Sequence, residues 1–70
     1  MRLEYDAKAD AIYIRLKDVE AVSTRELEDN LIVDLDAAGK TVGIELLFVS
    51  DYLSPDDIDS FTVTNLRASA

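Results

Sequence analysis

Seventy residues with a formal net charge of −8 and neither cysteine nor histidine exclude several classes of protein. The chain suffices for one small domain, and such a domain buries only about 60% of its unfolded surface. Without cysteine it forms no disulfide and no thiolate metal site. Without histidine it lacks the most common metal ligand and general base. Its negative charge opposes binding to nucleic acid and to anionic membranes. The simplest role of this charge is to keep a small domain in solution, and it would also attract a basic protein partner.

The N-terminal residues predict a first β-hairpin. Residues 2–5 alternate in polarity, and residues 11–16 are rich in β-branched and aromatic side chains. Between them, Asp6 can accept a hydrogen bond from the backbone N–H of Lys8 or Ala9 and so begin a tight loop. The second strand is expected to turn Ile12, Ile14 and Leu16 towards the core and Tyr13 and Arg15 away from it.

A weaker strand follows a polar connector and runs from Val22 to Glu28. Its charged side chains indicate a position near an edge of the sheet, where charge discourages unwanted pairing. Two registers with the next strand stay open. Arg25 faces Val33 if Asn30 adopts a left-handed conformation, or it pairs with Asp34 if the turn has two residues.

The central stretch, residues 31–49, holds most of the large aliphatic side chains and predicts two strands joined by a short turn. Asp36 can accept a backbone hydrogen bond at the start of this turn, and Gly39 can take a positive φ. A three-residue loop would pair Asp36 with Lys40. A loop one residue longer would set Val33 opposite Ile44 instead.

We prefer the longer loop, because each buried aliphatic residue is worth about 1.5–3 kcal/mol and an exposed ion pair about 0–1 kcal/mol. That register collects the aliphatic residues on one face. The second face then holds Ile32, Asp34, Gly43, Glu45 and Leu47. Because residues 46–49 are apolar on both sides, we expect the C-terminal segment or a second copy of the protein to cover this face there.

The segment after Val49 predicts a short helix over residues 55–60. Ser54 can cap the helix, and Pro55 fits its first position. Asp56 and Asp57 favour the positive end of the helix dipole, and Leu53 and Ile58 are spaced as a hydrophobic staple.

The remaining residues carry weaker signals. Residues 50–53 can add a preceding helical turn, and residues 61–64 have strand propensity and can return to the sheet or pair with a neighbour. We expect a frayed tail over residues 65–70. The predicted fold is therefore one mainly β (α+β) domain over residues 1–70. It consists of an antiparallel meander of about five strands within residues 2–49, then a short C-terminal helix.

Two pieces of the sequence resemble a known family. They are Tyr5-Asp6…Asp10-Ala11-Ile12-Tyr13-Ile14 and Ile32-Val33-Asp34-Leu35-Asp36…Gly39…Val42-Gly43-Ile44-Glu45-Leu46-Leu47. Over residues 3–50 the chain resembles the bacterial and archaeal family of small proteins catalogued as domain of unknown function 2283. The resemblance implies a compact β-rich domain without an established activity. Some members appear beside small toxin-like proteins, which implies an antitoxin-like role.

Three carboxylates are the main candidates for chemistry. Asp34 and Asp36 share one strand face, and Glu45 can reach it from the next strand, so they could hold Mg²⁺ or Ca²⁺ or act as acid and base. The alternative is turn chemistry for Asp36 and pairing with Arg25 or Lys40. Because this spacing is not a ligand signature, we assign no catalytic, cofactor-binding or metal-binding residue.

The other candidates have structural readings. Gly43 marks a bulge or a close approach of another backbone. Tyr5 and Tyr13 either line a groove or form a cross-strand pair. Ser23, Ser50 and Ser54 have no histidine to activate them as nucleophiles.

Three functions remain: a protein-interaction module, which could be antitoxin-like; a self-associating structural domain; and a small carboxylate-based metal binder or enzyme. The first two predict a homo-oligomer or a small basic protein partner, and no enzyme activity. The sequence shows no signal peptide and no stretch long enough to span a membrane. We therefore expect no membrane as a partner, and the net charge of −8 argues against nucleic acid. The expected location is the cytoplasm.

Overall fold

The computed structural model describes residues 1–67 and contains one five-stranded antiparallel sheet. Its strands are β1 (Arg2–Asp6), β2 (Ala11–Arg15), β3 (Ser23–Glu28), β4 (Leu31–Leu35) and β5 (Thr41–Leu47). A single 3-10 turn, Val49–Asp51, and a short helix, α1 (Pro55–Asp59), follow the sheet. The predicted fold class, five antiparallel strands with a short C-terminal helix, is confirmed.

The strand order is β1-β2-β5-β4-β3, so the last strand of the chain lies in the middle of the sheet. The β1–β2 hairpin and the β3–β4–β5 meander each follow chain order, and the pairing of β5 with β2 joins them. β3 forms one edge, and each of its residues is exposed, as its charged sequence predicts. β5 is central because both of its neighbours offer aliphatic side chains to pack beside its own.

The β4–β5 hairpin combines the two registers considered from the sequence. Val33 lies opposite Ile44, as the preferred register predicts. Nearer the turn the pairing shifts by one residue, and Leu35 lies opposite Thr41. The extra residue is Val42, which forms a β-bulge and is only 1% exposed. Each register is therefore correct over part of the hairpin.

The turn of this hairpin follows its predicted chemistry. A carboxylate oxygen of Asp36 accepts hydrogen bonds from the amides of Ala38 and Lys40, both at 2.9 Å. The backbone amide of Asp36 donates to the Lys40 carbonyl at 2.8 Å, which closes the three-residue loop. Gly39 has a φ of 79°, the left-handed conformation expected of it.

The β3–β4 hairpin also contains a bulge. Arg25 lies opposite Val33, which selects the first of the two open registers for most of β3. At the turn the register shifts, so that Glu28 faces Leu31 and Leu27 is the extra residue. Left-handed backbone at Asn30 is not the cause, since no such conformation occurs there. The bulge at Leu27 achieves the same pairing instead.

The first turn is tied to the end of β5. Asp6 accepts hydrogen bonds from the amides of Lys8 (2.9 Å) and Ala9 (3.2 Å), as predicted. Asp10 then takes a positive φ of 52°. Its carboxylate accepts a 2.6 Å hydrogen bond from the Ser50 hydroxyl, and its carbonyl accepts one from the Val49 amide at 3.1 Å. These bonds fix the 3-10 turn beside the first hairpin.

The helix begins as the sequence predicts. The Ser54 hydroxyl accepts a hydrogen bond from the Asp57 amide at 3.2 Å, and the Asp57 carboxylate accepts one from the Ser54 amide at 2.9 Å. The hydrogen bond from the Ser54 backbone lowers the pKa of Asp57 below its usual value. The helix ends at Asp59, one residue earlier than expected. Within residues 1–67 no helix has the length and hydrophobicity needed to cross a membrane.

The segment after the helix does not return to the sheet. Residues 61–64 form no strand, and their side chains are exposed. The frayed tail expected over residues 65–70 falls partly outside the described residues, since the structure describes none of residues 68–70.

Candidate functional site

One face of the sheet carries a three-by-three grid of aliphatic side chains, because alternate residues of each strand point to the same side. We call this surface the aliphatic face. The rows of the grid are Ile12-Leu46-Leu31, Ile14-Ile44-Val33 and Leu16-Val42-Leu35. On β1, Tyr5 extends the first row and Leu3 extends the second. On β3, at the opposite rim, Glu28 lies beside the first row and Arg25 beside the second.

The aliphatic face remains partly open to solvent. Ile12, Val33 and Val42 are buried, but the other six residues of the grid are only half-buried. In the part of the chain that the structure describes, extensive contact between elements is limited to neighbouring strands. The sheet is therefore a single layer, and no second layer packs across the whole grid.

The opposite surface, which we call the polar face, carries the charged residues of the central strands. One row across the sheet contains Glu4, Tyr13, Glu45, Ile32 and Glu26. The next row contains Arg2, Arg15, Gly43, Asp34 and Thr24. The strands thus separate an uncharged grid from a mainly acidic surface.

Tyr13 makes the most specific contact on the polar face. Its hydroxyl donates a 2.7 Å hydrogen bond to a carboxylate oxygen of Asp34, two strands away. The ring lies across Gly43 on the intervening strand, in the space that a Cβ would occupy. The hydrogen bond to Asp34, together with burial, raises the pKa of Tyr13 above its usual 10.0.

The three candidate carboxylates do not form one site. Asp34 bonds to Tyr13, Asp36 is occupied by the amides of its own turn, and Glu45 lies in the neighbouring row. Among residues 1–67 no group of three such side chains is placed to hold a metal ion. The pairing considered for Asp34 with Arg25 is wrong, because Thr24 lies opposite Asp34 and Arg25 points to the other face.

The remaining candidates have structural roles. The pairing of Tyr5 with Tyr13 is wrong: Tyr5 lies opposite Ile12, so the two tyrosines occupy opposite faces. Gly43 is next to a bulge but is required by the Tyr13 ring rather than by another backbone. Of the three serines, Ser50 bonds to Asp10, Ser54 caps the helix, and Ser23 is exposed at the start of β3.

One depression contrasts with the acidic character of the molecule. It has a volume of about 180 Å³ and is lined by Met1, Arg2, Arg15, Lys17 and Asp18. The Arg15 guanidinium is already engaged by the Val19 carbonyl at 2.9 Å, and Arg2 by the Glu4 carboxylate. With two of its three cations paired, the depression is a weaker candidate site than the aliphatic face.

Sequence reasoning missed two of these features. It expected the aliphatic residues to face a core, whereas in the part of the chain that the structure describes no second layer packs across the whole grid. It also missed the contact of Tyr13 with Gly43 and Asp34. The sequence does contain a glycine within one predicted strand and a tyrosine and an aspartate within others. Their contact can be recognised only when the pairing of β2 with β5 is known.

The comparisons with known proteins give one match. The family model described as protein of unknown function (DUF2283) matches residues 2–50, which contain all five strands. No curated protein and no solved structure shows significant similarity to the chain.

Proposed function

Because the chain belongs to the protein of unknown function (DUF2283) family, whose description assigns no activity, we propose its function from its surface: it is a protein-interaction module that binds with its aliphatic face. One observation carries the proposal. Six of the nine aliphatic residues in the grid are half-buried, and within residues 1–67 no second layer packs across them. A contiguous apolar surface that stays partly open to solvent is the kind of patch that marks interaction sites in small proteins.

The distribution of charge supports docking on the face rather than at an edge. The grid itself contains no charged residue, so a partner can cover it without burying an unpaired charge. The edge strand β1 carries Arg2 and Glu4, and the edge strand β3 carries Arg25, Glu26 and Glu28. Charges on edge strands discourage the addition of another strand.

A photo-crosslinking experiment tests this proposal. A photoreactive phenylalanine analogue replaces Leu46, a half-buried residue of the aliphatic face, in the full-length protein in its native cells. The control carries the same analogue at Glu45, the preceding residue, which points to the polar face. We expect protein adducts from position 46 and few from position 45. Equal labelling at both positions, or no adducts from position 46, would contradict the proposal.

A second candidate, an antitoxin-like function, would use the polar face instead. Glu4, Glu45 and Glu26 lie in one row across the sheet, in a chain whose net charge is −8. Such a row attracts a small basic protein, and its binding should weaken with added salt. A small basic protein encoded by a neighbouring gene would support this function and would serve as the probe. In the experiment above, adducts confined to position 45 would favour this function over docking on the aliphatic face.

The variant E45Q/E26Q gives this second function its own test. It removes two charges from the row and leaves the aliphatic face unchanged. We expect at least a tenfold weaker association with the basic protein at low salt, measured by titration calorimetry. Unchanged affinity would contradict a charge-guided partner. The proposal includes a cytoplasmic location, since a chain without cysteine needs no oxidising compartment.

A further inference from the structure

We propose that the surface bound by the aliphatic face is the same face of a second copy, so that two single-layer sheets close into a two-layer β-sandwich. This inference rests on the proposed function and names its partner. Two antiparallel sheets pack face to face about 10 Å apart with their strands roughly aligned. In such a dimer Ile44, at the centre of the grid, lies in the middle of the interface.

The small interior of one copy is the first argument. Among the described residues the buried apolar side chains are Ala11, Ile12, Val33, Val42 and Val49. The chain has no cysteine for a disulfide. Domains of this size need an additional source of stability, and oligomerisation is the one that the aliphatic face can supply.

The charge pattern is the second argument, and it selects a second copy over a basic partner. A basic protein would be drawn to the carboxylates, which the central strands place on the polar face. The grid offers it no opposite charge. A second copy presents an equally large, uncharged grid, and its acidic polar face points away from the contact. The net charge of −8 on each copy therefore opposes association only at long range, where salt screens it.

The size of the face is the third argument. Five strands about 4.8 Å apart and about 17–20 Å long present about 400 Å² on one side. Two such faces, with the grid at their centre and β1 and β3 at their rims, bury at most about 800–1,000 Å² together, which is below standard specific interfaces and within the range of weak, transient ones. We therefore expect a reversible dimer with a dissociation constant in the micromolar range.

Sedimentation equilibrium of the full-length protein tests the inference. The wild type should have twice the 7.8-kDa chain mass at high concentration and should dissociate on dilution. The variant I44K places a charge at the centre of the grid. Because each dimer contains two copies of this residue, we expect its dissociation constant to rise at least about 100-fold. The matched control is E45Q, which changes the net charge by the same amount on the polar face and should leave the dimer unchanged.

A further control separates the face from the exposed C-terminal segment. Phe61 and Val63 are 63% and 78% exposed, and they could instead join two copies by strand exchange. The variant F61S/V63S should dimerise like the wild type. If it becomes monomeric, the aliphatic face is not the interface and the inference is overturned.

Two measurements keep the test decisive if I44K folds poorly. Circular dichroism reports whether the β-sheet signal is retained, and I44T, which keeps a β-branched side chain, should also weaken the dimer. A wild type that is monomeric at every concentration, or an I44T and I44K pair that dimerise normally, would overturn the inference. A monomer that still forms adducts with other proteins from position 46 would leave the proposed function standing and reject only the second copy.

Discussion

At the scale of single residues, Tyr13, Gly43 and Asp34 form a contact that spans three strands. Glycine has low strand propensity, but here the absence of a Cβ leaves room for the Tyr13 ring. The ring covers the backbone of the central strand, and the hydroxyl reaches the Asp34 carboxylate at 2.7 Å. Steric fit and a charge-assisted hydrogen bond thus link β2, β5 and β4 on the polar face.

Substitution of Gly43 by alanine should destabilise the fold. The new Cβ would lie 2.8 Å from Cζ of Tyr13 and closer still to its hydroxyl oxygen, so the ring must move and its hydrogen bond is lost. We expect a loss of about 1–3 kcal/mol in the free energy of unfolding, measured with urea. In a Y13A background the same substitution should be neutral or stabilising. An equal cost in both backgrounds would show that the ring is not the reason for the glycine.

Removal of the Tyr13 hydroxyl should have a cost that depends on pH. The Asp34 hydrogen bond raises the pKa of Tyr13 above 10.0, so folding favours the protonated phenol. This stabilisation is complete below pH 10 and is lost as the pH rises through the raised pKa. Urea unfolding should show Y13F about 1–2 kcal/mol less stable than the wild type near neutral pH. The difference should shrink at higher pH, whereas a constant difference would exclude the hydrogen bond as its cause.

At the scale of elements, the bulges at Val42 and Leu27 decide how the β3–β4–β5 meander is built. In the β4–β5 hairpin the local chemistry of the turn favours one register, and the aliphatic residues of the two strands favour another. One extra residue in a strand reconciles the two. The bulge at Val42 also keeps Leu35 and Val42 on the aliphatic face, so the turn and the grid are both satisfied.

The turn glycine gives a prediction at this scale. Gly39 has a φ of 79°, and a Cβ added there would meet no atom within 4 Å. The variant G39A should therefore lose about 1 kcal/mol of stability from backbone strain alone. Asparagine tolerates left-handed backbone better, so G39N should lose less. Urea unfolding measures both, and equal losses would contradict the left-handed φ as the reason for the glycine.

At the scale of the whole molecule, the sheet has an aliphatic side and a mainly acidic side, and residues 1–67 form one layer. On the proposed function, the aliphatic side makes the contact and the acidic side repels other copies. A self-complementary aliphatic face would complete the interior that a single copy lacks. The folding of the protein and its dimerisation would then be thermodynamically coupled.

That coupling can be measured by thermal unfolding at several concentrations. If a dimer is the folded species, an increase of about a hundredfold in concentration stabilises it by about 2.7 kcal/mol and raises the unfolding midpoint by several degrees. The variant I44T should unfold at a midpoint that changes much less with concentration. A wild-type midpoint that is independent of concentration would show that one copy is stable alone.

The sequence by itself determined the local elements of this protein. The Asp6 and Asp36 turns, the Gly39 conformation and the Ser54 cap could be predicted because each depends on hydrogen bonds between residues at most four apart. Alternating polarity and β-branched or aromatic residues indicated about five strands, and charged side chains indicated the edge position of β3. These signals lie within a few residues, so no knowledge of the rest of the chain is needed.

Only the tertiary structure decided that β5 pairs with β2 as well as with β4. Tyr13 and Asp34 are 21 residues apart, and their contact exists because β5 inserts between β2 and β4. The full aliphatic face follows from the same pairing. Pairing between distant strands depends on the entropy of loop closure and on the apolar area buried by the whole sheet. Neither quantity can be obtained from a short stretch of sequence.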